Sequence, residues 1–331
     1  EGTGEWHPLP WDVDLSAGRR WTGGEHYFHD PLHSNFWNAS TINRLWDLIH
    51  NTPDYRDMYL RRVQTLRAEL LLPPGTPVED DWFTLKVREL KDLIDPVAVR
   101  SDADLDLIKW GSWGNGNDMR EASERLLTEW LPPRRAFMFS NSRNQGGVRV
   151  PAPQPAAPNV TVETIDFNPV SGNQDEEYFE LKNNENASVD LSGWTLSGAV
   201  DFVIPPGTVI PAGLGTSASR FVGLLHVARV PKSFRMRRTR PRSGQFRLIV
   251  GGYEGQLSAR GETIELRTAQ GVLVASETYP GDPSPTQLAL RIMELNYHPA
   301  PPTPEEEDVL PGVIAEEFEW IEFLNIGAST L

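Results

Sequence analysis

Apolar residues recur at three- and four-residue spacing along the first 140 positions, and beyond about residue 158 the period falls to two. The first pattern predicts helices. One starts near Thr41, a candidate N-cap, and runs through Leu45, Leu48 and Ile49 to the Asn51-Thr52-Pro53 break. A second starts at Pro53-Asp54 and carries Tyr55, Met58, Tyr59, Val63, Leu66 and Leu70 until Pro73-Pro74-Gly75 stops it. A third begins near Asp80, with Phe83, Val87, Leu90, Leu93 and Ile94 on one face. A fourth spans Asp118 to Trp130 and is expected to close at Pro132-Pro133, with Gly111 to Gly116 as a loop before it.

The Pro-rich run ending at Pro158 has the composition of an extended linker, placed at residues 141–157. After it come short alternating runs: Val160-x-Val162 to Phe167, Tyr178 to Leu181, Trp194-x-Leu196, Phe202 to Ile204, Phe246 to Val250, Ile264-x-Leu266 and Val272-x-Val274. Many short strands separated by Gly, Pro and Asn turns predict an antiparallel β-sandwich over residues 158–283. A repeat follows. Val162-Glu-Thr-Ile-Asp-Phe-Asn-Pro169 matches Ile292-Met-Glu-Leu-Asn-Tyr-His-Pro299, and Tyr178-Phe-Glu-Leu-Lys-Asn183 matches Trp320-Ile-Glu-Phe-Leu-Asn325. The second copy has a longer Pro/Glu-rich loop between its halves, about Ala300 to Glu317. Residues 288–331 are thus expected to hold the first strands of a second sandwich, with open edges unless they add to another sheet.

Composition narrows the functions. With 331 residues, 39% of them hydrophobic, the chain has core enough for two or three domains. No run approaches the roughly 18–20 apolar residues of a membrane span. The absence of cysteine excludes disulfides, thiolate zinc sites and cysteine nucleophiles. A net charge of −15 disfavours nucleic acid as a partner. Against that balance, Lys232, Arg235, Arg237, Arg238, Arg240, Arg242 and Arg247 form a local basic run. Two readings stand for it: a docking patch for an anionic polymer or an acidic partner surface, centred on Arg235, Arg237, Arg238 and Arg240, or a solvated insert offsetting acidic neighbours. No aromatic platform interleaves the arginines.

Two further groups carry candidate chemistry. Asp12 and Asp14 sit between a short aromatic run and a Gly-containing turn, where they either present hard oxygen ligands to a divalent cation or cap the turn. His26, His29 and His33 flank Glu25 and Asp30; three imidazoles this close suit zinc if they converge, and otherwise pack separately. The acidic group at Glu305 to Asp308, with Glu316, Glu317 and Glu319, lacks the spacing of a calcium loop. No Gly-x-Ser-x-Gly is present, and His226 shows no catalytic partners in the sequence.

The β-rich part resembles the lamin-tail domain, an immunoglobulin-like sandwich. The resemblance rests on Val162-x-x-Ile165-x-Phe167-Asn168-Pro169, the Tyr178–Asn183 run, Asp190-Leu-Ser-Gly-Trp194 and Gly261-Glu-Thr-Ile-Glu-Leu266. It implies a display or binding module rather than a catalyst. The N-terminal part, residues 1–140, resembles the C-terminal portion of CotH-type atypical protein kinases, through Trp6-His-Pro-Leu-Pro-Trp-Asp-Val-Asp-Leu15, Pro53-Asp-Tyr-Arg56 and Leu131-Pro-Pro-Arg-Arg135. That resemblance implies a mainly α, kinase-C-lobe-like segment in which Asp12 and Asp14 hold Mg²⁺ or Mn²⁺ against ATP phosphates. It also implies that the nucleotide-binding lobe and catalytic loop lie upstream and are absent here, leaving this piece without activity alone. The expected whole is a multidomain bacterial protein, extracellular or in the cell envelope, phosphorylating a protein substrate. The alternative is a non-catalytic envelope or adhesion scaffold within a larger assembly.

Overall fold

The computed structural model describes residues 44–96, 100–111, 117–140, 150–213, 223–241 and 247–331. The helical part comprises α1 (Arg44–Asn51), α2 (Pro53–Leu66), α3 (Trp82–Ile94), α4 (Asp102–Trp110), α5 (Met119–Arg125) and α6 (Leu131–Phe139). The predicted Thr41 cap and most of the Gly111–Gly116 loop lie outside the described residues. Thr52 is the extended N-cap of α2, and Pro53 follows it, where its fixed φ suits the first turn. The helix widens into a π turn at Arg67–Leu71 and ends at Leu72, whose φ of 62° breaks the helical path just before Pro73.

Pro132-Pro133 does not end a helix as expected. Leu126–Trp130 winds as a π turn, and the prolines fall in the first turn of α6. First-turn N–H groups need no helical acceptor, so losing them costs little there. Helix α4 was not legible as a period; it is set by a capping box. The Ser101 hydroxyl accepts from the Asp104 N–H at 3.0 Å, and the Asp104 carboxylate accepts from the Ser101 N–H at 3.3 Å. The predicted apolar face of α3 is also not its anchor, since Leu90, Leu93 and Ile94 are exposed. What α3 buries is Thr84 and its cap Asp81. Asp81 takes a 2.6 Å bond from Arg135 of α6, whose Nε donates to the Leu71 carbonyl at 2.6 Å. Burial alone would raise the Asp81 carboxyl, but the bonds from Arg135 and Thr84 outweigh it and hold it below the usual range.

The sandwich is built from β1 (Val160–Asp166), β2 (Tyr178–Asn183), β3 (Val189–Asp190), β4 (Thr195–Gly198), β5 (Val200–Val203) and β6 (Val209–Ile210), then β7 (Leu224–Ala228), β8 (Leu248–Gly251), β9 (Glu254–Gly255), β10 (Glu262–Arg267) and β11 (Leu273–Tyr279). One sheet has the order β1-β2-β7-β8 and the other β11-β10-β4-β5-β9, with β3 and β6 paired separately. Alternation places Phe179, Leu181 and Val227 of the first sheet and Leu196, Ile264 and Leu266 of the second in one buried cluster around Trp194. Strand β7 was missed in the sequence because Leu224-Leu225-His226-Val227-Ala228 does not alternate. The pair β7–β8 is parallel, a departure from the antiparallel expectation. Its crossover, residues 229–247, includes the short helix α7 (Pro231–Arg235) and is long enough to return the chain to the same end of the sheet.

Beyond the sandwich lie α8 (Pro285–Ala289), β12 (Leu290–Asn296), α9 (Pro304–Val309) and β13 (Trp320–Asn325), with β12 and β13 paired antiparallel. The expected Pro/Glu-rich loop contains a helix because Thr303, Pro304 and Glu306 form a capping box with a proline in the first turn.

Candidate functional site

Asp12, Asp14, His26, His29 and His33 lie outside the described residues. Asp12 and Asp14 supply carboxylate oxygens, a donor set whose hardness matches Mg²⁺ or Mn²⁺. Among the described residues, no group of three or more His, Asp or Glu converges as metal ligands. Glu305, Glu306 and Glu307 instead occupy the first turn of α9, where free N–H groups favour negative charge.

The basic run divides on folding. Arg237 is buried, which removes it from any exposed docking patch. Its Nη2 donates to Asp166 at 2.6 Å and its Nη1 to the Glu176 carbonyl at 2.5 Å, while its guanidinium lies 4.8 Å from the Tyr178 ring centre. Phe234, fully buried, packs edge-on against Tyr178 and brings α7 onto the outer face of β2 and β7. Arg238 and Arg240 remain exposed and Arg235 half-buried. The crossover is therefore anchored through Arg237 and Phe234 rather than being a solvated insert throughout.

His226 does have partners. Its Nδ1 lies 3.2 Å from the Leu248 carbonyl. Its Nε2 lies 3.1 Å from Glu180 and 3.0 Å from Arg247 Nη1. Burial would raise the Glu180 carboxyl, but hydrogen bonds from His226 and Thr164 outweigh it and hold it down. This cluster sits between aromatic walls, Tyr178 and Phe234, and ties β2, β7 and β8 together. Glu177 is a second buried carboxylate. It accepts from the Tyr253 hydroxyl at 2.9 Å, the Leu257 N–H at 3.2 Å and the Gln174 amide. Burial pushes its carboxyl above the usual range despite those bonds.

The most extended polar constellation joins the helical part to the sandwich. On α2 the deepest positions are Leu60, Arg61 and Gln64, not the apolar series read from the sequence. Arg61, buried, donates from Nε to the Ser188 carbonyl at 2.7 Å and from Nη1 to the Ala152 carbonyl at 2.7 Å. Arg62 pairs with Asp190 at 3.1 Å and reaches the Ser192 hydroxyl at 3.1 Å. The Gln154 side-chain amide accepts from the Asp190 N–H at 2.9 Å and donates to the Asp190 carbonyl at 3.0 Å, meeting both backbone groups of that residue. The described part of the Pro-rich run is therefore pinned at two points, Gln154 on Asp190 of β3 and Ala152 on Arg61. Nothing in hydrophobic periodicity marks Arg61 or Gln154; a pair of arginines on a helix beside an Asp-Leu-Ser motif is the one signal available.

Asp190 accepts from the Ser192 N–H at 2.9 Å, Gly193 turns with φ +71°, and Trp194 is delivered into the core. Residues 153–281 match the family model of the Lamin Tail Domain. Residues 1–138 match the model of the CotH kinase protein. No curated protein matches the chain. The protein thus combines a CotH-like helical segment with a lamin tail domain of immunoglobulin-like form. The CotH match includes Asp12 and Asp14, and the joint links α2 of that segment to β3 of the lamin tail domain. Among the described residues, no helix is long and apolar enough to cross a membrane.

Proposed function

We propose that this protein serves ATP-dependent protein phosphorylation of the CotH type, at a bacterial cell envelope or outside the cell, with the lamin tail domain as its display or binding module. In this reading Asp12 and Asp14 hold Mg²⁺ or Mn²⁺, and the metal neutralises charge on the ATP phosphates. The observation that carries the reading is the CotH match over residues 1–138, which contains the Pro10-Trp-Asp-Val-Asp14 motif. The Arg61 joint supports a fixed placement of the module, since a display domain on a free tether needs no buried arginine at its base.

The test is transfer of radiolabelled γ-phosphate to protein by the intact protein in Mg²⁺ or Mn²⁺, comparing wild type with Asp14→Ala. Wild type is expected to incorporate label, and the variant roughly a hundred-fold less. No incorporation by the intact wild type, or equal incorporation by both, overturns the reading in favour of an adhesion or envelope scaffold.

A further inference from the structure

The β12–β13 hairpin reproduces the opening hairpin of the lamin tail domain residue for residue. Val160, Val162, Ile165 and Asp166 of β1 lie opposite Asn183, Leu181, Phe179 and Tyr178. Leu290, Ile292, Leu295 and Asn296 of β12 lie opposite Asn325, Phe323, Ile321 and Trp320 in the same register, with the extra bulge residue in the matching interval. The turn after the second strand is copied too. Asn183 donates to the Ala187 carbonyl at 2.9 Å and accepts from the Glu185 N–H at 2.9 Å. Asn325 donates to the Ser329 carbonyl at 2.8 Å and accepts from the Gly327 N–H at 2.9 Å. A 3₁₀ turn precedes the second strand in both, at Gln174–Glu176 and Ala315–Phe318.

The two hairpins differ in their cover. Phe179 and Leu181 are fully buried, whereas Ile321 and Phe323 are 50% and 55% exposed. In the sandwich, the far edge of β2 carries β7, with Leu225 opposite Leu181, His226 opposite Glu180 and Val227 opposite Phe179. Among the described strands, β13 pairs only with β12.

We propose that the β12–β13 hairpin is the acceptor half of a second lamin-tail-like sandwich, and that it takes an extended strand of β7 chemistry, antiparallel along the edge of β13. The repeat specifies the occupant. Aliphatic side chains belong opposite Phe323 and Ile321, and a cationic or imidazole side chain belongs opposite Glu322, the counterpart of Glu180 with its His226 contact at 3.1 Å. A second copy of β13 in that register would set Glu322 against Glu322, which disfavours self-pairing. The proposal is independent of phosphoryl transfer.

The test uses the full chain and a labelled synthetic peptide with the sequence of residues 223–229, followed by fluorescence anisotropy and hydrogen exchange. Saturable binding with new protection over Trp320–Asn325 is expected. His226→Glu in the peptide is expected to weaken binding by roughly ten-fold or more, and Glu322→Lys in the protein to restore it for that peptide. Glu322 is exposed, so its replacement leaves the fold in place. Binding indifferent to both charge changes, protection elsewhere, no binding, or β13-mediated dimerisation that excludes the peptide would overturn the proposal.

Discussion

Glu177 shows how a single buried group sets a pH response. Its carboxyl is raised above the ordinary glutamate value of 4.5, burial being the largest cause. A raised folded-state value means that the folded protein holds the proton more tightly than the unfolded chain. The associated stability is fully present below that ordinary value, which the unfolded chain keeps, and is lost as pH rises through the folded value. Glu177→Gln keeps an oxygen for Tyr253 and Leu257 and removes the titration. The urea midpoint of the variant should therefore fall less between pH 4 and pH 7 than that of wild type; an identical fall would remove Glu177 as the source. None of this is legible in Asp175-Glu176-Glu177, where three acidic residues in a row read as a solvated turn. Burial comes from Tyr253 and Leu257, partners some 80 positions away, and composition is blind to such distances. Arg237 makes the same point: in sequence it is one cation among seven, and only the fold separates it from Arg238.

At the scale of elements, sequence patterns read well where packing is one-sided and poorly where capping or docking decides. The strands of the lamin tail domain alternate because each sheet has one buried face, so β1, β2 and β10 were legible. The fold class follows from them. Helix α4 was not, because its apolar residues Leu105, Ile108 and Trp110 are exposed and its start is fixed by Ser101 and Asp104. Ser101→Ala removes the acceptor for the Asp104 N–H and should lower stability by about 1 kcal/mol, read as a fall in the urea midpoint of the full chain. An unchanged midpoint would show that α4 is held by something other than its cap. The stop expected at Pro132-Pro133 failed for a related reason, since a proline is a breaker only beyond the first turn.

At the scale of the whole molecule, the two matched regions are connected by a built contact rather than by a linker alone. Periodicity does not show the joint, because an arginine on a helix is read as a solvated residue until the surface opposite it is known. Arg61 leaves two carbonyl groups, at Ser188 and Ala152, dependent on its guanidinium. Removing it should cost about 2 kcal/mol and uncouple the two parts. The direct measurement is hydrogen exchange by mass spectrometry along a urea series on the full chain, following peptides from α2 and from β3–β6. Wild type is expected to open both at a shared urea concentration, and Arg61→Ala to open them at separate ones. Separate openings in wild type, or a shared one that survives Arg61→Ala, would contradict the account of a lamin tail domain fixed to a CotH-like segment.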